Sequence, residues 1–150
     1  MRRAGVAVSL RRSSSVLVAA VKKAAAMPTF RISLQQSTTS PGRARDHVRS
    51  FIEENRLCEE PEIALLILSE LVSNAVMHGA QPIQVVVSGE AGKLRIDVTD
   101  GDTHVPRPRL HFGNGDRSGG RGLHIVNALS EQWGTTIHEH GKSVWAEVIE

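Results

Sequence analysis

Apolar and polar residues alternate along Phe30-Arg31-Ile32-Ser33-Leu34, the pattern of a half-buried strand. A polar loop over 37–42 follows, and its Ser40-Pro41 is a helix-start signal. From there Ala44, Val48, Phe51 and Ile52 recur at helical spacing up to about Asn55. A second helix is predicted from Glu60-Pro61-Glu62, with proline in the first turn and acids at the positive end of the dipole. It runs through 64–77 and stops at His78-Gly79. Two β-rich runs, 83–87 and 94–98, joined by residues 89–92, predict a hairpin. Residues 100–121 hold five Gly and two Pro with no periodicity, and a loop of that length in a compact domain points to function or mobility. Residues 122–129 then read as helix, and 135–139 and 143–149 as strands pairing across His140-Gly141. The order β-α-α-β-β-loop-α-β-β predicts an α+β fold, a two-layer sandwich of one mostly antiparallel sheet and about three helices. There is no internal repeat.

Composition narrows the picture. A length of 150 residues allows one domain. With three Phe, two Trp and no Tyr, aliphatic side chains must fill the interior. The single cysteine, Cys58, excludes an intrachain disulfide and fits a reducing compartment. Residues 1–26 carry six of the basic residues and no acid; removing that +6 from the overall +2 leaves −4 for 27–150. The basic pI therefore belongs to the tail, and charge gives no support to direct nucleic-acid binding. Segment 1–26 reads as a disordered basic tail, or as sequence upstream of a true start at Met27; its Ala24-Ala25-Ala26 also resembles a signal-peptide cleavage site. Its apolar stretches fall short of the ~20 residues that span a bilayer, so no membrane association is expected. The domain is expected over 27–150.

The second helix is apolar around almost its whole circumference, as a buried helix is. Its exceptions, Ser69, Glu70, Ser73 and Asn74, fall within an arc of roughly 140°. Glu70 and Asn74 lie one turn apart on that stripe. A carboxylate on a buried helix is costly unless paired, hydrated or shifted in pKa. Three explanations stand at this point: a helix with one wet edge, a Glu satisfied by a nearby Arg, or a polar cleft with a general base and an oxygen ligand.

The stripe lies in Glu70-Leu71-Val72-Ser73-Asn74-Ala75-Val76-Met77-His78-Gly79, which resembles the N-box of the ATPase superfamily shared by gyrase, heat-shock chaperones, histidine kinases and mismatch-repair proteins. Ile96-Asp97-Val98-Thr99-Asp100 resembles the first glycine-box, and Gly119-Gly120-Arg121-Gly122-Leu123-His124-Ile125-Val126 the second. Gly141-Lys142-Ser143-Val144-Trp145 resembles the closing strand. Within the superfamily the likeness is to bacterial anti-sigma-factor serine/threonine kinases, and it covers about residues 30–149. It implies a Bergerat-type ATP-binding fold with ATP and Mg²⁺ as cofactors. By resemblance Asn74 is the Mg²⁺ ligand, Glu70 the catalytic base and Asp100 the adenine reader, with Ser143 supporting the same edge through a water. Gly120, Arg121, Gly122 and Leu123 would border the phosphates, where glycine admits close backbone approach and a helix N-terminus offers free N–H groups. The chain departs from the first glycine-box at Asp102, which puts an extra acid near the nucleotide.

The resemblance further implies a cytoplasmic regulator whose partners are a sigma factor and/or a small anti-anti-sigma protein, with a homodimer left open. Two functions fit: a protein kinase inactivating such a partner, or an ATP-responsive switch that sequesters one without phosphoryl transfer. Other signals drop out. Gly141-Lys142-Ser143 echoes a P-loop, but Thr136 stands where its first glycine belongs and the stretch lies between two strands. Gly120-Arg121-Gly122 lacks the third glycine of a dinucleotide fingerprint, since Ile125 occupies that place. His138 and His140, with His104 and His111 in the loop, are too few fixed ligands for a zinc site.

Overall fold

The computed structural model describes residues 26–106 and 121–150; the basic tail and most of the expected long loop lie outside the described residues. Five strands, β1 (Thr29–Leu34), β2 (Ile83–Glu90), β3 (Lys93–Asp100), β4 (Gln132–His138) and β5 (Gly141–Ile149), form one sheet in the order β1-β2-β3-β5-β4. Every neighbouring pair is antiparallel. Three helices, α1 (Ser40–Asn55), α2 (Glu62–His78) and α3 (Arg121–Leu129), complete the described elements, with α2 packed on α1, α3 and the sheet. The fold is therefore α+β, a two-layer sandwich on an antiparallel sheet.

Strand alternation builds the core. Ile83, Val85 and Val87 of β2, Leu94, Ile96 and Val98 of β3, and Val144, Ala146 and Val148 of β5 are buried. They meet Ala44, Val48 and Ile52, spaced by one helical turn on α1, and Leu65, Leu68, Leu71, Val72 and Ala75 of α2. The opposite sheet face is polar and half-buried: Arg95 stacks over the Trp145 ring at 4.3 Å and bonds Asp97 and Glu147.

Three expectations need adjustment. The hairpin turn is Ala91-Gly92 and not residues 89–92, because the register runs on to Glu90 opposite Lys93. Gly92 accommodates that tight reversal with φ of 80°. Strand β4 starts at Gln132, three residues early, since Trp133 packs against the core. Helix α2 is not buried all round: Ile63, Leu66 and Met77 are exposed, because α1, α3 and the sheet leave its outer side uncovered. No helix among the described residues is long and apolar enough to cross a membrane.

Helix α1 ends at Arg56, whose φ of 51° lies in the left-handed region and whose N–H bonds the Glu53 and Ile52 carbonyls. Glycine adopts that conformation without the Cβ clash. Arg56→Gly is expected to raise unfolding stability by about 0.5–1 kcal/mol, measurable by urea denaturation; a loss of stability would contradict the cap assignment.

Candidate functional site

Helix α2 forms one wall of the site, and its middle and its C-terminal end differ chemically. Its middle carries Glu70 and Asn74, both half-buried. Neither side chain has a hydrogen-bond partner among the described residues, and burial alone pushes the Glu70 carboxyl up from the usual carboxylate range. The paired-Glu explanation of the stripe thus finds no described cation beside Glu70. The neighbouring Ser69 is satisfied differently: its hydroxyl donates to the Leu65 carbonyl at 2.8 Å and accepts from Arg45.

The first turn of α3 comes against this carboxylate. A Cβ built on Gly122 would lie 2.6 Å from Glu70 Oε2, so the absence of a side chain is what lets helix and carboxylate meet. Glu70 and Gly122, 52 positions apart in sequence, are thereby neighbours. Leu123 is buried and anchors the turn in the core. The helix N-terminus leaves backbone N–H groups without helical partners at this point. Gly120 lies outside the described residues, and of Arg121 only its place at the start of α3 is described.

Gly122→Ala separates site from scaffold. Alanine favours a helix over glycine by up to about 1 kcal/mol, and the atom it meets is the far end of a flexible side chain. Stability is expected to hold or rise while any activity that depends on Glu70 falls; a coupled loss of both, in thermal melts and activity assays, would count against this geometry.

Beside the C-terminal end of α2 lies Asp100, the last residue of β3. It continues the buried row of Leu94, Ile96 and Val98 and is 2% exposed. Gly79, which ends α2, approaches it so closely that a Cβ there would lie 2.6 Å from Asp100 Cγ. Gln36 fixes this helix end by donating to the Val76 and Gly79 carbonyls, each at 3.1 Å. Asp100 Oδ1 accepts from the Asp102 N–H at 2.8 Å and from Lys142 Nζ at 2.9 Å. Asp102 is held ionised, below the usual carboxylate range, chiefly by its hydrogen bond to His104. From Glu70 to Gly79 is nine residues, about 13 Å of helix axis.

Ser143 comes to the other face. The register sets Ser143 opposite Thr99 and Lys142 opposite Asp100, so alternation points the serine away from the helices. Its hydroxyl shares hydrogen bonds with Thr99 Oγ1 at 2.7 Å and His138 Nε2 at 2.8 Å. Lys142, to which the motif reading gave no task, is the β5 residue beside Asp100. The parity of Lys142 with Val144, Ala146 and Val148 was the available signal.

A sequence profile described as the histidine kinase-like ATPase domain matches residues 34–148. Among solved structures, the RsbU and RsbW domains of Rv1364c from Mycobacterium tuberculosis superpose with a TM-score of 0.58 at 21% identity. The match covers 81% of this chain but only 32% of that one, so the chain spans about a third of the length of this structural relative. No curated protein sequence matches. The profile match runs from the end of β1 into β5, and the chain belongs to the histidine kinase-like ATPase domain family.

Proposed function

We propose that the chain is an ATP-binding regulatory protein of the cytoplasm that phosphorylates a serine or threonine of a small partner protein. The observation that carries this reading is the half-buried Glu70 carboxylate, without a hydrogen-bond partner among the described residues and held against the first turn of α3. The base of the nucleotide would lie at Asp100 and its phosphates along Asn74, Gly120, Arg121, Gly122 and Leu123. An ionised Asp only accepts hydrogen bonds, and adenine offers an exocyclic amine.

A magnesium site fits the residues present. The Asn74 amide has no described protein partner, and its oxygen suits a hard cation that keeps several waters. When bound, the ion would neutralise charge on the phosphates. Glu70 would take the proton from the partner's hydroxyl as the hydroxyl oxygen bonds to the γ-phosphorus. The bond from that phosphorus to the β–γ bridging oxygen breaks, and ADP leaves. The N–H groups of α3 would stabilise charge on the transferring group.

By the family likeness, the substrate would be an anti-anti-sigma protein and a sigma factor the competing partner, which would make the role one in transcription regulation. A second reading, an ATP-responsive switch without transfer, is favoured by Asp102, an ionised acid at the base end of the site. Incubation of the protein with Mg²⁺, labelled ATP and candidate partners separates the two. Label on a partner serine supports the kinase; tight ATP binding with no label on any partner removes it.

A further inference from the structure

Lys142 occupies a position that an aliphatic residue would fill. It continues the buried row of Val144, Ala146 and Val148, and its side chain is 3% exposed. Its Nζ lies 2.9 Å from Asp100 Oδ1 and 3.2 Å from the Asp102 carbonyl oxygen, with Asp102 Oδ2 farther off at 3.9 Å. The Asp102 N–H donates to the same Oδ1. One oxygen of the Asp100 carboxylate therefore carries two donors, one of them charged, and no described residue donates to Oδ2. A buried ammonium is costly unless it is paired and hydrogen-bonded, and Asp100 and the Asp102 carbonyl supply that pairing here.

We propose that Lys142 is a positioning residue for base recognition: it fixes the Asp100 carboxylate with Oδ1 engaged, so that Oδ2 is the acceptor presented to the base. The proposal rests on the nucleotide-binding reading above. Its consequence is selectivity. A purine with an exocyclic amine at that edge supplies the donor that Oδ2 requires, whereas a carbonyl oxygen there, as in hypoxanthine, meets a second acceptor. A purine with neither group leaves Oδ2 without its bond. The Lys142 bond to the Asp102 carbonyl also ties this carboxylate to the first residues of the segment leaving β3.

The test compares ATP with inosine triphosphate and with purine riboside triphosphate, which lacks the amine, on the full chain with Mg²⁺. Wild type is expected to prefer ATP over both by about tenfold or more, the worth of a hydrogen bond to a charged group. Lys142→Met, shown folded by circular dichroism, is expected to bring the preference below about threefold on the same scale. A lysine that only props the fold would change stability and leave the ratio in place. A folded variant with the wild-type ratio therefore overturns the proposal, as does a wild type that binds ATP without preference.

The unmodified protein gives a second readout should the variant not fold. The Lys142 side-chain ¹⁵N resonance is expected to move on saturation with ATP and much less with purine riboside triphosphate. Equal shifts, or none, overturn the proposal. A wild type that binds no nucleotide at all removes the nucleotide reading itself, so the two failures are distinguishable.

Discussion

Glu70→Gln is expected to lower phosphoryl transfer to a partner serine by about 10²–10⁴-fold, the usual worth of a positioned general base, while Mg²⁺–ATP affinity stays within about threefold. Glutamine keeps the shape beside Gly122 but cannot accept a proton. The pH dependence follows from the same burial. Desolvation pushes the Glu70 carboxyl up, so transfer by wild type should rise with pH through that raised value and then level off. The variant's residual rate should lack that limb. Stability runs the other way. A carboxyl whose folded pKa exceeds its unfolded value stabilises the fold at low pH, and that contribution is lost as pH rises through the raised value. Above that raised value the wild type carries an ionised, half-buried carboxylate that glutamine removes. Thermal melts should place Glu70→Gln increasingly above wild type as pH rises through that value, with the gap closing as pH falls below the unfolded carboxyl range. A variant that is less stable than wild type above that value, or that still transfers phosphate at the wild-type rate, would remove Glu70 from this role.

Asp100→Ala should have the largest effect on stability. It leaves the Lys142 ammonium buried without its carboxylate. Breaking a buried ion pair from one side costs about 3–5 kcal/mol, which corresponds to a drop of roughly 10–20 °C in Tm for a domain of this size. Replacing both partners by apolar residues is a different experiment, since the pair's net worth against hydrophobic packing is near zero. Asp100→Leu with Lys142→Met should therefore recover most of the lost stability and still bind ATP poorly. Recovery of stability without binding separates the scaffold role of the pair from its role toward the base. Full binding by the double variant would show that Asp100 does not read the nucleotide.

The fold was legible because this chain writes its periods plainly. The alternation at 30–34 and the one-turn spacing of Ala44, Val48 and Ile52 became β1 and α1 with ends shifted by a residue or so. The ends of β2, β4 and β5 were harder, since pairing carries a ladder past the last β-prone residue; Gly89 sits inside β2, where composition indicates a turn. The Glu70–Asn74 stripe was visible as polarity on an apolar helix, but its juxtaposition with Gly122 was not, because it depends on how α3 lies against α2. The base end shows the limit most clearly. Motif likeness selected Ser143, yet an offset of one residue in a strand changes the face, and the register brings Lys142 to Asp100 instead. The roles given to Gly120 and the Arg121 side chain fall outside what is described.

The central claim is that a nucleotide lies along α2, with its base at Asp100 and its terminal phosphate at Glu70 and Gly122. A calorimetric titration of wild type, Glu70→Gln and the Asp100→Leu/Lys142→Met pair with Mg²⁺ and a non-hydrolysable ATP analogue tests it most directly. The account predicts saturable one-to-one binding that survives Glu70→Gln and is lost in the paired variant. Absence of binding to wild type at millimolar analogue, or equal binding by all three proteins, would contradict it.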